Sequence, residues 1–221
     1  NETEDHTHAS AFGDLLDNPF EAGARHIHVT RGGDKRQGEY LVISDDGPGL
    51  ADFAHLERAY TFGCSPVKGD AHNYGQGEKA AGLQLGGCLC KLCDLGDARL
   101  VAMLSAPMQD SPGFPEETKR PLVEFLRDAR ADAGWRLNTA RPSASANADL
   151  FFAWSPFADE RAVHAAFDRA RTHGRTHVVV AQLRPTLTIK GADVLCGDVR
   201  EPDQRWACHS SLRAYAELAY P

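Results

Sequence analysis

With 42% hydrophobic and 25% charged residues, a chain of 221 residues can bury a substantial core, which sets it apart from disordered chains. Its apolar runs are all too short to span a bilayer as a helix. A formal net charge of -7 excludes general phosphate neutralisation by the region as a whole, since duplex affinity comes largely from cationic side chains, so any DNA contact needs a local basic patch or further chain.

Length suggests one large domain, or one domain plus part of a second. The chain starts at Asn1 and stops at Pro221 just after SLRAYAELAY, a helix-like segment, and reads as a fragment. No secretion signal is legible, so the six cysteines are expected to be reduced thiols in an intracellular compartment.

Asn1 to Ser10 is polar. From Ala11 to Gly23 the apolar spacing is helical, with Phe12, Leu15 and Leu16 on the buried side and Gly23 as the stop signal. Asp14 and Asn18 stand four apart on this helix, so a carboxylate and an amide oxygen can address one bound ion and its water. The plain alternative is the solvated side of an amphipathic helix. Pro19 conflicts with the helix, because an interior proline removes a hydrogen bond and costs about 3 kcal/mol.

His26 to Thr30 alternates and Glu39 to Ser44 is β-rich, with a glycine-containing turn between them, which predicts a hairpin. The second strand runs into Ser44 to Gly49 (SDDGPG). Ala51 to Tyr60 is a predicted short helix. Thr61 to Gly77 is glycine-rich, too long for a tight connection, and reads as a functional lid. Glu78 to Leu85 is a predicted helix opening directly from those glycines.

Strands are expected at Cys88 to Cys93, Ala98 to Ser105 and Leu122 to Phe125. Cys88, Cys90 and Cys93 read as part of a buried strand rather than a zinc knuckle, since no second spaced Cys or His pair accompanies them. Ser111 to Pro121 and Asn138 to Asp149 are read as loops, Asp159 to Arg171 as a helix, Thr176 to Leu183 as a core strand and Ser210 to Tyr220 as a helix. Helices alternating with hairpins predict a two-layer α/β sandwich rather than a doubly wound parallel sheet.

Two stretches can carry chemistry. Tyr74 to Lys79 (YGQGEK) is a glycine-rich loop entering a helix, a geometry that offers backbone N–H groups to phosphate, with Gly75 and Gly77 permitting close approach. Its spacing is not that of the Walker-type phosphate loop. Lys79, and Lys68 in the lid, would each add a point charge. Asp45 closes an apolar strand ahead of Gly47 and Gly49, and a carboxylate there can accept a hydrogen bond from an exocyclic amine. Read alone, DDGPG is also good material for a plain turn.

Taken together, the stretch Asp14 to Ala22 (DLLDNPFEA), SDDGPG, FGCSPVK (Phe62 to Lys68) and YGQGEKAAG (Tyr74 to Gly82) resemble the ATP-binding fold of gyrase, MutL, histidine kinases and the large heat-shock chaperones, the GHKL superfamily. Within it the chain is most similar to the microrchidia (MORC) ATPases. FGCSPVK resembles their F-G-x-S-x-K lid and NYGQGEKAAGLQLG their Y-G-N-G-x-K-S-G loop. WSPFADERAVHAAFD, THVVVAQLR and SLRAYAELAYP have counterparts there too, so the likeness covers nearly the whole chain.

The resemblance implies a mixed sheet covered by helices on one face, with an ATP-binding domain over residues 1–190 and the end of that domain, leading toward a transducer-like domain, over 191–221. It implies ATP and Mg²⁺ as ligands. Asn18 would coordinate Mg²⁺, and Asp14 stands where the family has a glutamate that activates the attacking water. Asp45 would read adenine with Thr176 supporting it through water, and Gly47 and Gly49 would line the base. Ser65, Lys68 and the loop Tyr74, Gly75, Gln76, Gly77 and Lys79 would wrap the triphosphate.

It further implies a nuclear chromatin or DNA clamp that dimerises over ATP. This fragment is expected to be monomeric, with DNA contacts outside it and no membrane association. Four residues depart from the family pattern: Asp14 is one methylene shorter than glutamate, Pro19 follows Asn18, Glu78 enters the phosphate loop, and Arg175 replaces the glycine before Thr176. They favour the alternative of a degenerate, non-hydrolysing nucleotide-binding or interaction module of the same fold.

Overall fold

Strands that are apolar at nearly every position need cover on both sides, and ARLVAMLS and THVVVAQL are both of this kind. In the computed structural model, residues 8–34, 38–61, 77–112, 119–131, 133–185, 187–190 and 193–196 are described. The elements follow as α1 (His8–Glu21), β1 (Ile27–Asp34), β2 (Gly38–Asp45), α2 (Phe53–Tyr60), α3 (Gly77–Leu85), β3 (Gly86–Asp94) and β4 (Ala98–Ser105). Then come α4 (Ala106–Gln109), β5 (Leu122–Arg127), β6 (Trp135–Leu137), α5 (Ala144–Trp154), α6 (Glu160–Ala170), a 3₁₀ turn (Arg171–His173), β7 (Thr176–Leu183), β8 (Leu187–Lys190) and β9 (Asp193–Cys196).

The first seven strands form one α/β sheet in the order β1-β2-β7-β3-β4-β5-β6, and β8 pairs with β9 separately. β7 is therefore central, antiparallel to β2 on one side and to β3 on the other. Successive side chains of a strand face opposite ways. On one face Leu41, Ile43, Leu89, Val178 and Val180 pack with Phe12, Leu15 and Leu16 of α1, Leu56 of α2, and Ala81 and Leu85 of α3. On the other face Cys88, Cys90, Leu92, Met103 and Val179 pack with Phe151 of α5 and Val163 and Phe167 of α6. Burying each such Leu, Val or Phe is worth about 1.5–3 kcal/mol.

Helices layered on one sheet are as expected, with two corrections. The sheet is antiparallel at every described pairing, not mixed. Helices also cover the second face, because β4 and β7 carry apolar side chains on both sides and α5 and α6 supply the cover. The Asn138–Asp149 loop reading is likewise corrected. Residues 144–154 form a helix whose first two turns alternate alanine with Ser145, Asn147 and Asp149, so the alanines favour the helix, the polar residues do not, and the apolar signal starts late.

α1 runs through Pro19 instead of breaking there. Pro19 falls in the last turn, where its missing N–H removes one bond, and the turn closes with Ala22 N–H donating to the Asn18 carbonyl at 3.0 Å. Two other helices start as their sequences indicate: Asp52 accepts from His55 N–H at 2.7 Å at the head of α2, and Asp159 from Ala162 N–H at 2.8 Å at the head of α6. The hairpin β1–β2 and the strands read at Cys88, Ala98, Leu122 and Thr176 are all present. The helix expected at Ser210–Tyr220, and all of 191–221 except 193–196, lie outside the described residues. No helix among the described residues is long and apolar enough to cross a membrane.

Candidate functional site

Asp45 sits where β2 ends, on the same face as Leu41 and Ile43, and is only 6% exposed. Gly47 N–H donates to its Oδ1 at 3.0 Å. Burial raises the Asp45 pKa above the ordinary carboxylate value, against the pull of the Gly47 bond and of Lys91. Directly across the ladder stands Thr176, the first residue of β7. Thr176 is buried, and its Oγ1 has no hydrogen-bond partner among the described residues.

Two glycines shape the floor. Gly49 has φ +66°, and a Cβ there would lie 2.9 Å from Thr176 Oγ1, so a side chain at this position would crowd that hydroxyl. Gly174 has φ +133°, and a Cβ there would collide with the Asp45 carbonyl. That carbonyl accepts from Arg175 N–H at 3.1 Å, which ties the β7 entry to the end of β2. Arg175 thus carries its side chain beside the strand entry, while the glycine at the point of closest approach is Gly174.

The ends of β2 and β7 therefore hold a buried carboxylate acceptor and a hydroxyl without a partner among the described residues side by side, next to a glycine with no side chain. A flat ligand edge carrying an N–H donor next to a ring acceptor matches that pair. An unpaired buried hydroxyl costs on the order of 1–3 kcal/mol, a penalty that a ligand or water reaching Thr176 would remove.

A second polar group borders it. Lys91, a charged side chain in the middle of the GCLCKLCDL strand, reaches Glu78 of α3 at 2.6 Å. Burial lowers the Lys91 pKa, but Glu78, Cys93 and Asp45 outweigh it and the net shift is upward. Burial also pushes the Cys93 thiol up to about 12, so it stays protonated. Cys88, Cys90 and Cys93 are free, buried thiols of β3, as their strand reading predicts. Sequence reasoning missed Lys91, whose only signal was a charge inside an apolar run; Glu78 was noticed only as a departure.

Of the predicted site residues, the structure brings Asp45, Gly47, Gly49 and Thr176 together. Gly77 opens α3, and Lys79 of that helix is 4% exposed, with its Nζ 3.4 Å from the Thr61 carbonyl and 6.0 Å from the Tyr60 ring centre. Asp14 and Asn18 lie on α1, which packs against α3. Their contact runs from Asn18 Nδ2 to the Asp14 main-chain carbonyl at 3.0 Å, leaving Asn18 Oδ1 as an acceptor. Neither is hydrogen-bonded to Asp45 among the described residues. Ser65, Lys68, Tyr74, Gly75 and Gln76 lie outside the described residues.

The chain matches no protein-family model, and no curated protein matches it.

Proposed function

We propose that this chain binds adenine nucleotide as Mg-ATP, in the manner of a GHKL-type, MORC-like ATPase module acting in a chromatin or DNA clamp. The observation that carries the proposal is the pairing of the buried Asp45 carboxylate with the buried Thr176 hydroxyl, which has no partner among the described residues, beside Gly49. Adenine presents an exocyclic amine beside a ring nitrogen, the complement of that pair, whereas guanine presents a carbonyl oxygen to Asp45 where an N–H is needed.

In this reading Asp45 accepts from the amine, Thr176 acts directly or through water on the ring nitrogen, and Gly47 and Gly49 flank the base. Lys79 and the loop residues Ser65, Lys68, Tyr74, Gly75, Gln76 and Gly77 hold phosphates, and Asn18 Oδ1 serves the magnesium. A bound Mg²⁺, which Asn18 Oδ1 would help to hold, would supply charge neutralisation for the phosphates. Asp14 orients the attacking water. The test is calorimetry with ATP and GTP: ATP is expected to bind and GTP not, and Asp45→Asn to lose measurable ATP binding. Equal ATP affinity in wild type and Asp45→Asn would show that the pocket is misassigned.

The alternative, a nucleotide-binding module that does not hydrolyse, is favoured by the short reach of Asp14. One bond length of retreat is enough to matter, since misplacement near 1 Å can cost on the order of 10²-fold in rate. Binding without turnover separates the two readings.

A further inference from the structure

On the second face, below the DDGPG turn, lies a cavity of about 780 Å³ between the β1–β2 end of the sheet, the 3₁₀ turn and the edge strands. That volume is within the usual range for small-ligand pockets. Its charges are unevenly satisfied. Arg99 is 3% exposed in its side chain, pairs with Asp94 and Asp168, and stacks 4.3 Å from the Trp135 ring centre, so its charge is already matched. Asp46 accepts from Arg25 N–H and His26 N–H and contacts His26 Nδ1 at 2.8 Å, and its pKa is held down at about 2 by these His26 and backbone contacts.

With the three lining carboxylates thus engaged, Arg127, Arg171 and Arg175 line the same cavity with no carboxylate ion pair among the described residues. The wall also includes His177, which is 1% exposed. Its Nδ1 lies 3.0 Å from Ser44 Oγ, while its Nε2 is buried without a partner among the described residues. Three unmatched guanidinium groups and one orphaned imidazole nitrogen converge on one hollow. Guanidinium forks fit phosphate oxygens in pairs.

We propose that this cavity is a second ligand site, distinct from the Asp45 pocket, for a small molecule carrying two or more phosphate groups. Arg127, Arg171 and Arg175 neutralise it from the cavity lining, and His177 Nε2 supplies the buried hydrogen bond. The site adjoins the nucleotide pocket through the Asp46-Gly47-Pro48 turn and the Gly174-Arg175 link, both of which line the cavity. The two sites lie on opposite faces of the same strand ends.

The probe is inorganic pyrophosphate, and the readout is the indole N–H resonance of Trp135, one of three tryptophans in the chain, assigned by its loss in Trp135→Phe. Titration is expected to shift that resonance saturably at millimolar pyrophosphate or below. Arg127→Glu and Arg171→Glu, both at exposed positions, are each expected to weaken the effect roughly tenfold or more, the loss of one charged hydrogen bond. Arg171→Lys keeps the charge and should retain most of the affinity, and Asp45→Asn should leave the Trp135 shift intact. A Trp135 resonance that stays still, or a shift equally strong in both charge-reversed variants, overturns the proposal. So does a response to duplex DNA with none to pyrophosphate.

Discussion

A hydroxyl buried without a partner is a liability in the empty protein and an asset in the bound one, and Thr176 makes that difference measurable. Thr176→Val keeps the shape and removes the unpaired group, so the empty protein is expected to gain about 1 kcal/mol of stability. The same variant should bind ATP about tenfold more weakly. Denaturation and calorimetry on one sample check both signs, and a variant that is destabilised while binding normally would show that Thr176 serves the fold and not the ligand. Asp14 is tested by reach: Asp14→Glu should raise ATP turnover by on the order of 10²-fold, with ATP affinity unchanged, if the remaining site is sound. Turnover that stays at background while ATP binds would favour the non-hydrolysing module.

Among the elements, α3 is joined to the sheet not only by apolar packing but also by the Glu78–Lys91 ion pair, about 15% exposed on each side. Lys91→Met should cost about 3 kcal/mol, because it leaves Glu78 partly buried and uncompensated. Adding Glu78→Met should restore most of the loss, and urea denaturation of the two single variants and the double variant checks it. A double variant no more stable than Lys91→Met would mean that the loss comes from Lys91 itself and not from a stranded Glu78. The elements themselves were largely legible where a local signal existed. The hairpin showed in alternation, and α2 and α6 fall within the spans read for them, Ala51 to Tyr60 and Asp159 to Arg171.

Elsewhere the signal was not local. α5 hid in an alanine- and asparagine-rich stretch, and β6 is three residues whose strand character comes from pairing with β5. Asp45 could be singled out because it ends an apolar strand before two glycines. Lys91 and His177 could not, because their meaning depends on Glu78 and Ser44, brought close by the fold from distant parts of the chain. The second-face cavity draws on β1, the DDGPG turn, β4, β5, β6 and the approach to β7, and no single stretch of sequence shows it.

At the scale of the whole molecule, two histidines set a stability profile against pH. Burial, with Arg99 beside it, pushes His164 down to about 4, and burial pushes His177 down to about 4. Unfolded, each takes up its proton near pH 6.5. The unfolded state therefore holds more protons between these values, so stability is full above about pH 6.5, falls as pH drops toward 4, and loses no more on their account below that. By pH 5 the loss is roughly 2 kcal/mol for each histidine. Urea denaturation at pH 7 and pH 5 should show this difference, and His164→Asn should remove about half of it. An unchanged slope in His164→Asn would mean that His164 is not held neutral by its surroundings.

The place of β7 has a consequence for how the chain comes to be folded. Its two neighbours in the sheet, β2 and β3, end and begin far upstream, so the sheet stays in two separate pieces until residues 176–183 arrive between them. Closing so long a loop comes late and is slow, as for any topology dominated by contacts distant in sequence. Until then β2 and β3 each present an unpaired edge, the kind that recruits other chains. During synthesis, a polypeptide that has emerged only as far as Arg175 holds two halves of a sheet and neither of the two proposed sites, because Thr176 and His177 arrive together, one for each face.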